Sequence, residues 1–249
     1  MMICKWEKLP PELQTEEVRT YYNILKKKQF SLFLKRAFDI VVSFVMLLIT
    51  LPIFIILAIA IKVDSRGPVF YRQVRVTTYG KRFRIFKFRT MVQNADKIGT
   101  QVTVNGDPRI TRVGRFIRKC KLDELCQLID VLRGTMTFVG TRPEVPKYVE
   151  QYTPEMMATL LLPAGVTSEA SIYYKDEASL IDASSDPDTT YVEEVLPVKM
   201  YYNLKAIEKF GFWHDIGVMF KTVFAVLGKD YEGDYVPEPK VTEKHEETV

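Results

Sequence analysis

Residues 40–61 read IVVSFVMLLITLPIFIILAIAI, from Ile40 to Ile61, without one charged side chain. As a helix this run is about 33 Å long, enough to cross a bilayer core. It is too long for the usual core helix, and the sequence holds no second run of its kind. Ala58-Ile59-Ala60 imitates a leader cleavage site, but 39 residues precede the run and its length is wrong for a secretory leader. Both flanks are basic. Lys26, Lys27, Lys28, Lys35 and Arg36 come before; Lys62, Arg66, Arg72 and Arg75 come after. The positive-inside rule wants both flanks on one side, which a straight single span does not allow. Pro52 near the middle removes a helix hydrogen bond and crowds the carbonyl of Leu48. Ser43 and Thr50 supply hydroxyls to compensate freed backbone groups. A helix that enters, breaks at Pro52 and returns to the same face satisfies both flanks; a kinked spanning helix is the alternative. Arg36 and Asp39, three residues apart, predict an interfacial ion pair.

The rest of the chain reads as a soluble core. The 249 residues carry a net charge of +4, with 27% charged and 47% hydrophobic residues, so the chain is not a disordered one. The three scattered cysteines, Cys4, Cys120 and Cys126, suggest reduced thiols and a cytosolic catalytic part. Residues 69–76 and 82–90 are rich in β-branched and aromatic residues and predict a hairpin around 77–81. Asn105-Gly106-Asp107-Pro108 is a turn signal, and Pro163-Ala164-Gly165 and Asp186-Pro187-Asp188 mark loops. Ile110, Val113 and Ile117 recur at helical spacing, with Arg109, Arg112, Arg115 and Arg118 largely off that face. Beside a membrane element, such an arginine face suits anionic head groups or a phosphorylated substrate.

In the next stretch, KCKLDELCQL (119–128), Leu122, Leu125, Cys126, Ile129 and Leu132 form one apolar helical stripe. Asp123, Glu124, Gln127 and Asp130 lie off it. Taken alone, two acids in a first helical turn are explained by the macrodipole without any function. A short β-like run, TMTFVG, then leads to Arg142, which Pro143 pushes toward extended geometry. A guanidinium at such a turn tip suits bidentate phosphate recognition. A last amphipathic helix spans about 213–227, with Ile216, Met219, Phe220, Val223 and Leu227 on one face. The tail beyond Gly228 has seven acids against three lysines and reads as disordered.

Several chemistries are excluded. The two histidines are His214, in an aromatic neighbourhood, and His245, in the tail, which leaves little for a histidine-based nucleophile relay. Zinc-type spacing, a Walker loop and a dinucleotide fingerprint are absent. Carboxylates, arginines and lysines beside a membrane remain, a set suited to phosphoryl transfer with Mg²⁺ on oxygen ligands.

Taken in order, the motifs resemble the bacterial sugar transferases, the monotopic polyprenyl-phosphate phosphoglycosyl transferases. The matching pieces are KRAFDIVVS, Leu51-Pro52, DSRGPVFYRQVRV, FRIFKFRTM, the stretch GDPRITRVGRFIRKCKLDELCQLIDVLRGTMTFVGTRPE and VEEVLPVKMYYNLKAIEKFGFWHDIGVMFKTVFAVL. Together they cover roughly residues 30–228. The resemblance implies the dip over the spanning helix. It implies transfer of a sugar 1-phosphate from a nucleotide diphosphate sugar, usually a UDP-sugar, to undecaprenyl phosphate, starting glycan assembly. Asp123 maps to the nucleophile and Glu124 to the Mg²⁺ site. Arg142, Lys87 and Arg89 map to positions near phosphate, and Arg118 on the arginine face joins them as a candidate. Three places depart from the family pattern: Cys126 and Thr141 stand where it has proline, and Pro163–Ser168 replaces its PGITG loop.

The expected fold class is α+β: a re-entrant membrane helix broken at Pro52, amphipathic interfacial helices and a small β-hairpin around a cytosolic catalytic core. The expected divisions are an N-terminal extension (1–29), the membrane helix (30–65), the catalytic domain (66–228) and the acidic tail (229–249). Expected partners are the nucleotide diphosphate sugar, undecaprenyl phosphate and membrane lipids, with no nucleic acid; a homodimer is compatible with the reading. The expected location is the bacterial inner membrane, catalytic domain on the cytoplasmic face. The competing reading is a non-catalytic, membrane-anchored lipid-binding scaffold of a glycan assembly complex.

Overall fold

The computed structural model describes residues 1–95, 107–174, 180–181, 184 and 186–234. The turn residues Asn105 and Gly106 and the tail from residue 235 lie outside these. The architecture is mixed helix and sheet, as expected. Helix α1 (Glu16–Lys27) is followed by the long helix α2 (Gln29–Asp64). An antiparallel hairpin, β1 (Phe70–Val76) and β2 (Arg82–Phe88), pairs Phe70 with Phe88 and Gln73 with Ile85. Then come α3 (Arg112–Lys119), a 3₁₀ turn (Leu122–Cys126) and α4 (Gln127–Arg133). Strands β3 (Met136–Val139) and β4 (Ala164–Thr167) pair in parallel. The C-terminal half ends on helices Leu196–Glu208 and Phe212–Val226.

Helix α2 is apolar and long enough to cross a membrane by length and composition. Its assignment runs unbroken through Pro52, so the proline does not end the helix. Thr50 Oγ1 donates to the Met46 carbonyl at 2.7 Å and Ser43 Oγ to the Ile40 carbonyl at 3.3 Å, which places both expected hydroxyls on the helix backbone. Large apolar side chains stand exposed along the middle of α2, among them Phe44, Leu48, Ile49, Ile56 and Ile59. Both of its ends are held by the same body. Near the start, Lys35 donates to the Val139 carbonyl and pairs with Asp215, and Phe38 packs edge-on to Phe138. Near the end, Phe54 packs edge-on to Phe88, and Asp64 accepts from the Val113 N–H at 2.9 Å.

The expected Arg36–Asp39 pair is replaced by other bonds. Arg36 donates to the Val131 and Leu132 carbonyls at the end of α4, at 2.6 and 2.8 Å. Asp39 accepts from the Thr137 hydroxyl at 2.7 Å and from the Phe138 N–H. Free carbonyls at a helix terminus and an unpaired strand N–H are stronger claims on a buried charge than a neighbour on the same helix.

The first 29 residues, for which the sequence offered no reading, pack firmly onto this body. Leu9, Leu13, Val18 and Leu25 share a core with Leu160, Leu161, Ile207 and Phe210. The Tyr21 hydroxyl donates to Glu155 at 2.7 Å, and the Tyr79 hydroxyl accepts from the Cys4 N–H at 3.0 Å.

Three local readings change, one of them at Asp186-Pro187-Asp188, which caps and opens a short helix, Pro187–Thr190, instead of marking a loop. Leu122–Leu132 is not one helix: the 3₁₀ turn precedes α4, and Gln127 and Asp130 are buried rather than off the core. Asp130 is drawn in because its carboxylate accepts the Phe86 N–H on the hairpin edge, at 2.8 Å. The stretch after Pro163 is a strand, not a loop, since Gly165 allows a backbone approach that its composition disguises. A Cβ at Gly165 would lie 2.1 Å from the Gly140 carbonyl oxygen.

Candidate active site

The 3₁₀ turn carrying Asp123 and Glu124 starts from Lys121, whose positive φ of 53° turns the chain back from α3 toward the hairpin. Strand β2 sends Lys87 to this turn. Its ammonium lies 3.3 Å from Glu124 Oε1. The second cation comes from the turn after β3. The Gly140–Gly165 crossing bonds Gly165 N–H to the Thr141 carbonyl at 2.8 Å, which fixes that turn against β4. Arg142 then donates to the Val166 carbonyl at 2.9 Å and grips Glu124 with both terminal nitrogens, at 2.6 and 3.3 Å. The guanidinium thus arrives with its fork already oriented.

The two carboxylates are neighbours with opposite electrostatics. Burial pushes the Asp123 carboxyl above the usual range, against the pull of Lys87 and with a further push from Glu124. Burial acts on Glu124 in the same sense, but Arg142 and Lys87 outweigh it and hold its carboxyl at about 2. One acid is therefore a fixed anion that organises two cations, and the other is a less stabilised, more basic carboxylate beside them. Lys87 and Arg142 keep 25% and 36% of their side chains exposed, so both still face incoming ligand.

The remaining candidates divide. Arg118 donates to the Thr90 hydroxyl at 3.1 Å and its charge is felt at Asp123, so it borders the site. Arg89 is 5% exposed, and its guanidinium donates to the carbonyls of Ser65 and Arg66, at 2.7 and 2.9 Å. It serves there as a clamp on the exit of α2. Cys126 is buried, and burial raises its thiol, consistent with a packing residue. His214 meets the buried Glu169 at 3.1 Å, outside this cluster.

A cavity of about 220 Å³ opens beside the dyad, sharing Lys87 and Arg142 with it. The inner face of the hairpin lines it through Gln73, Arg75 and Ile85, and a second wall holds Glu144, Tyr191 and Lys199. Sequence reasoning assigned no role to these. Arg75 looked like part of a basic flank, Glu144 and Lys199 lay in quoted motifs with no chemical signature of their own, and Tyr191 stood just before one of them.

Mg²⁺ usually takes one or two carboxylates and completes its shell with water and phosphate oxygens. Asp123 and Glu124 supply that number, and Glu124 Oε2 carries only the longer, 3.3 Å contact. The residues fit a magnesium ion shared with a diphosphate; among the described residues no larger His, Cys, Asp or Glu cluster stands together.

The family profile described as Bacterial sugar transferase matches residues 30–229. The chain is 34% identical over 198 residues to an Aeromonas hydrophila UDP-N-acetylgalactosamine-undecaprenyl-phosphate N-acetylgalactosaminephosphotransferase, covering 78% of this chain and 44% of that protein. It is 38% identical over 196 residues to an Escherichia coli UDP-glucose:undecaprenyl-phosphate glucose-1-phosphate transferase, covering 77% and 39%. It is 36% identical over 218 residues to a Salmonella typhimurium undecaprenyl-phosphate galactose phosphotransferase, covering 82% and 42%. The chain thus spans less than half the length of these relatives.

Proposed function

The chain belongs to the bacterial sugar transferase family, and on that premise we propose that it transfers a sugar 1-phosphate from a UDP-sugar to undecaprenyl phosphate. The observation that carries the reading is the dyad itself: a half-buried Asp123 beside a Glu124 that holds Arg142 and Lys87 toward open space. Asp123 attacks the sugar-bearing phosphorus; a carboxylate O–P bond forms and the diphosphate bridge breaks, releasing the nucleoside monophosphate. An oxygen of the lipid phosphate then attacks the aspartyl phosphosugar and frees Asp123. Arg142 and Lys87 offset the repulsion between the attacking carboxylate and the diphosphate. Bound at Asp123 and Glu124, Mg²⁺ would neutralise further charge on the diphosphate. Incubation of the detergent-extracted protein with UDP-sugars, Mg²⁺ and undecaprenyl phosphate is expected to release UMP, and a chelator to suppress it. No UMP with any donor overturns the reading.

The membrane part of the proposal is a dip into the cytoplasmic face of the inner membrane. The basic flanks, the docking of both ends of α2 on one body and Pro52 between them support it. The last helix supports it as well, because Phe220, Val223 and Leu227 point outward while Asp215 and Val218 face the body. Phe116 on α3 and Trp213 are exposed too. Such apolar faces suit an interfacial bed that lets a lipid phosphate and a soluble nucleotide sugar meet at Asp123. With Cys120 replaced by serine, an impermeant thiol reagent is expected to reach Cys4 and a cysteine introduced in the tail from the same side of sealed vesicles. Labelling from opposite sides excludes the dip.

A further inference from the structure

The enclosed part of the cavity beside the dyad is smaller than a whole nucleotide sugar. Its volume of about 220 Å³ lies below the ~300 Å³ at which pockets begin to enclose a drug-sized molecule. It suits one ring. Its position says which one. It abuts Lys87 and Arg142, the cations held at Glu124 beside the attacking Asp123. In a nucleotide diphosphate sugar, the sugar is one oxygen away from the attacked phosphorus. The ribose stands a further phosphate away and the base beyond it.

The walls are built for hydroxyls and amides. Glu144 and Tyr191 are both buried, and the phenol donates to the carboxylate. The Lys199 ammonium lies 3.0 Å from the Tyr191 oxygen and 3.4 Å from Glu144 Oε1. This trio offers an acceptor, a donor and a group that does both, side by side. Arg75, also on the lining, donates to the Pro143 carbonyl at 3.0 Å and to Gln73 Oε1 at 2.7 Å, while its Nε is buried without a partner among the described residues. Buried Gln127 adds an amide to the lining, and Tyr148 adds an aromatic face. Charges paired with one another at a cavity wall leave hydrogen-bonding sites for a ligand rich in hydroxyls or amides.

We propose that this cavity takes the sugar ring of the donor and that Glu144, Tyr191 and Lys199 read its hydroxyl or acylamino substituents. The inference rests on the proposed transferase reading and deepens it. The named relatives differ in the sugar they carry, glucose, galactose or N-acetylgalactosamine, so a discriminating subsite is what the reaction requires of each of them.

The test compares kcat/KM for UDP-glucose, UDP-galactose, UDP-N-acetylglucosamine and UDP-N-acetylgalactosamine in the full chain and in Tyr191→Phe, Lys199→Met and Glu144→Gln. The ratio between two donors cancels the folded fraction of each preparation, and Tyr191→Phe removes one oxygen without changing the cavity's shape. The expected result is a change of at least about tenfold in the donor ratio in one or more variants, with inhibition by UMP unaltered. Loss of UMP inhibition by the same factor for every donor would make the cavity a nucleoside pocket and overturn the inference. Unchanged ratios in all three variants overturn it too. If wild-type protein released no UMP from any donor, the transferase reading itself would fall, a result distinct from normal wild-type turnover with indifferent variants.

Discussion

Asp123→Asn is expected to lower UMP release by roughly 10³-fold or more while raising the melting temperature at neutral pH. The two effects have one origin. Burial places the native Asp123 carboxyl above its ordinary value, so the folded state holds that proton more tightly than the unfolded chain. Above the folded value the side chain is an ionised group that opposes folding, and stability falls as pH rises through that value. Asparagine removes the penalty along with the proposed nucleophile. The same shift predicts that kcat/KM in the wild type begins to fall, on acidification, above the range of an ordinary aspartate. Glu124→Gln is expected to move the melting temperature the other way. Its native carboxyl, held at about 2 by Arg142 and Lys87, contributes stability that is fully present above its unfolded value and fades as pH falls toward 2. The glutamine variant also leaves Arg142 and Lys87 facing each other without their shared anion. Thermal unfolding in detergent at pH 7 and at pH 4.5, beside UMP release, checks the pair. Melting temperatures that shift in the same direction, or an asparagine variant with full turnover, would sink the assignment of roles.

That division of labour was only half legible in the sequence. Helical periodicity placed Asp123 and Glu124 together off an apolar stripe, but it treated them as equivalent. What separates them is a contact to Arg142, eighteen positions along the chain, and another to Lys87 on a different element. Long-range pairings of this kind leave no periodic trace. Arg89 shows a second contact that no local pattern reveals. The resemblance maps it near phosphate, and its planar fork also holds the carbonyls of Ser65 and Arg66 just past α2. The hairpin was legible because β-branched and aromatic runs around a short turn are a local signal, and its observed strands, Phe70–Val76 and Arg82–Phe88, fall within the expected ones. Strand β4 was hidden by Pro163 and Gly165, which read as loop punctuation. There the glycine serves a backbone crossing rather than a turn. The N-terminal 29 residues were silent because their apolar positions answer to a surface assembled from residues 158–162 and 207–210, which no local pattern reveals.

The largest stability effect is expected from the buried pair that ties the start of α2 to the last helix. Lys35 is 4% exposed and Asp215 is 8% exposed. The lysine's other described bond is to the Val139 carbonyl, at 2.7 Å. Asp215→Ala leaves an ammonium in a dry site with the Val139 carbonyl and only the longer-range charge of Asp39 to offset it. Removing one partner of such a pair costs about 3–5 kcal/mol, and at ~2–4 °C per kcal/mol for a chain of this size the melting temperature should fall by roughly 6–20 °C. The double variant Lys35→Met Asp215→Leu is expected to recover most of that loss, because two apolar side chains of similar length carry no desolvation penalty. The exposed Arg19–Glu16 pair supplies the contrast: Arg19→Ala should change stability by about 1 kcal/mol or less, since water already screens it. If Asp215→Ala were as mild as Arg19→Ala, the start of α2 would not be anchored through this pair. In that case the remaining bonds of Arg36 and Asp39 to α4 and β3 would have to hold the helix on the body alone. A recovered double variant that still labels Cys4 and the tail from one side would show that the topology follows from the packing of α2 on the body and the basic flanks, with the ion pair contributing stability rather than direction.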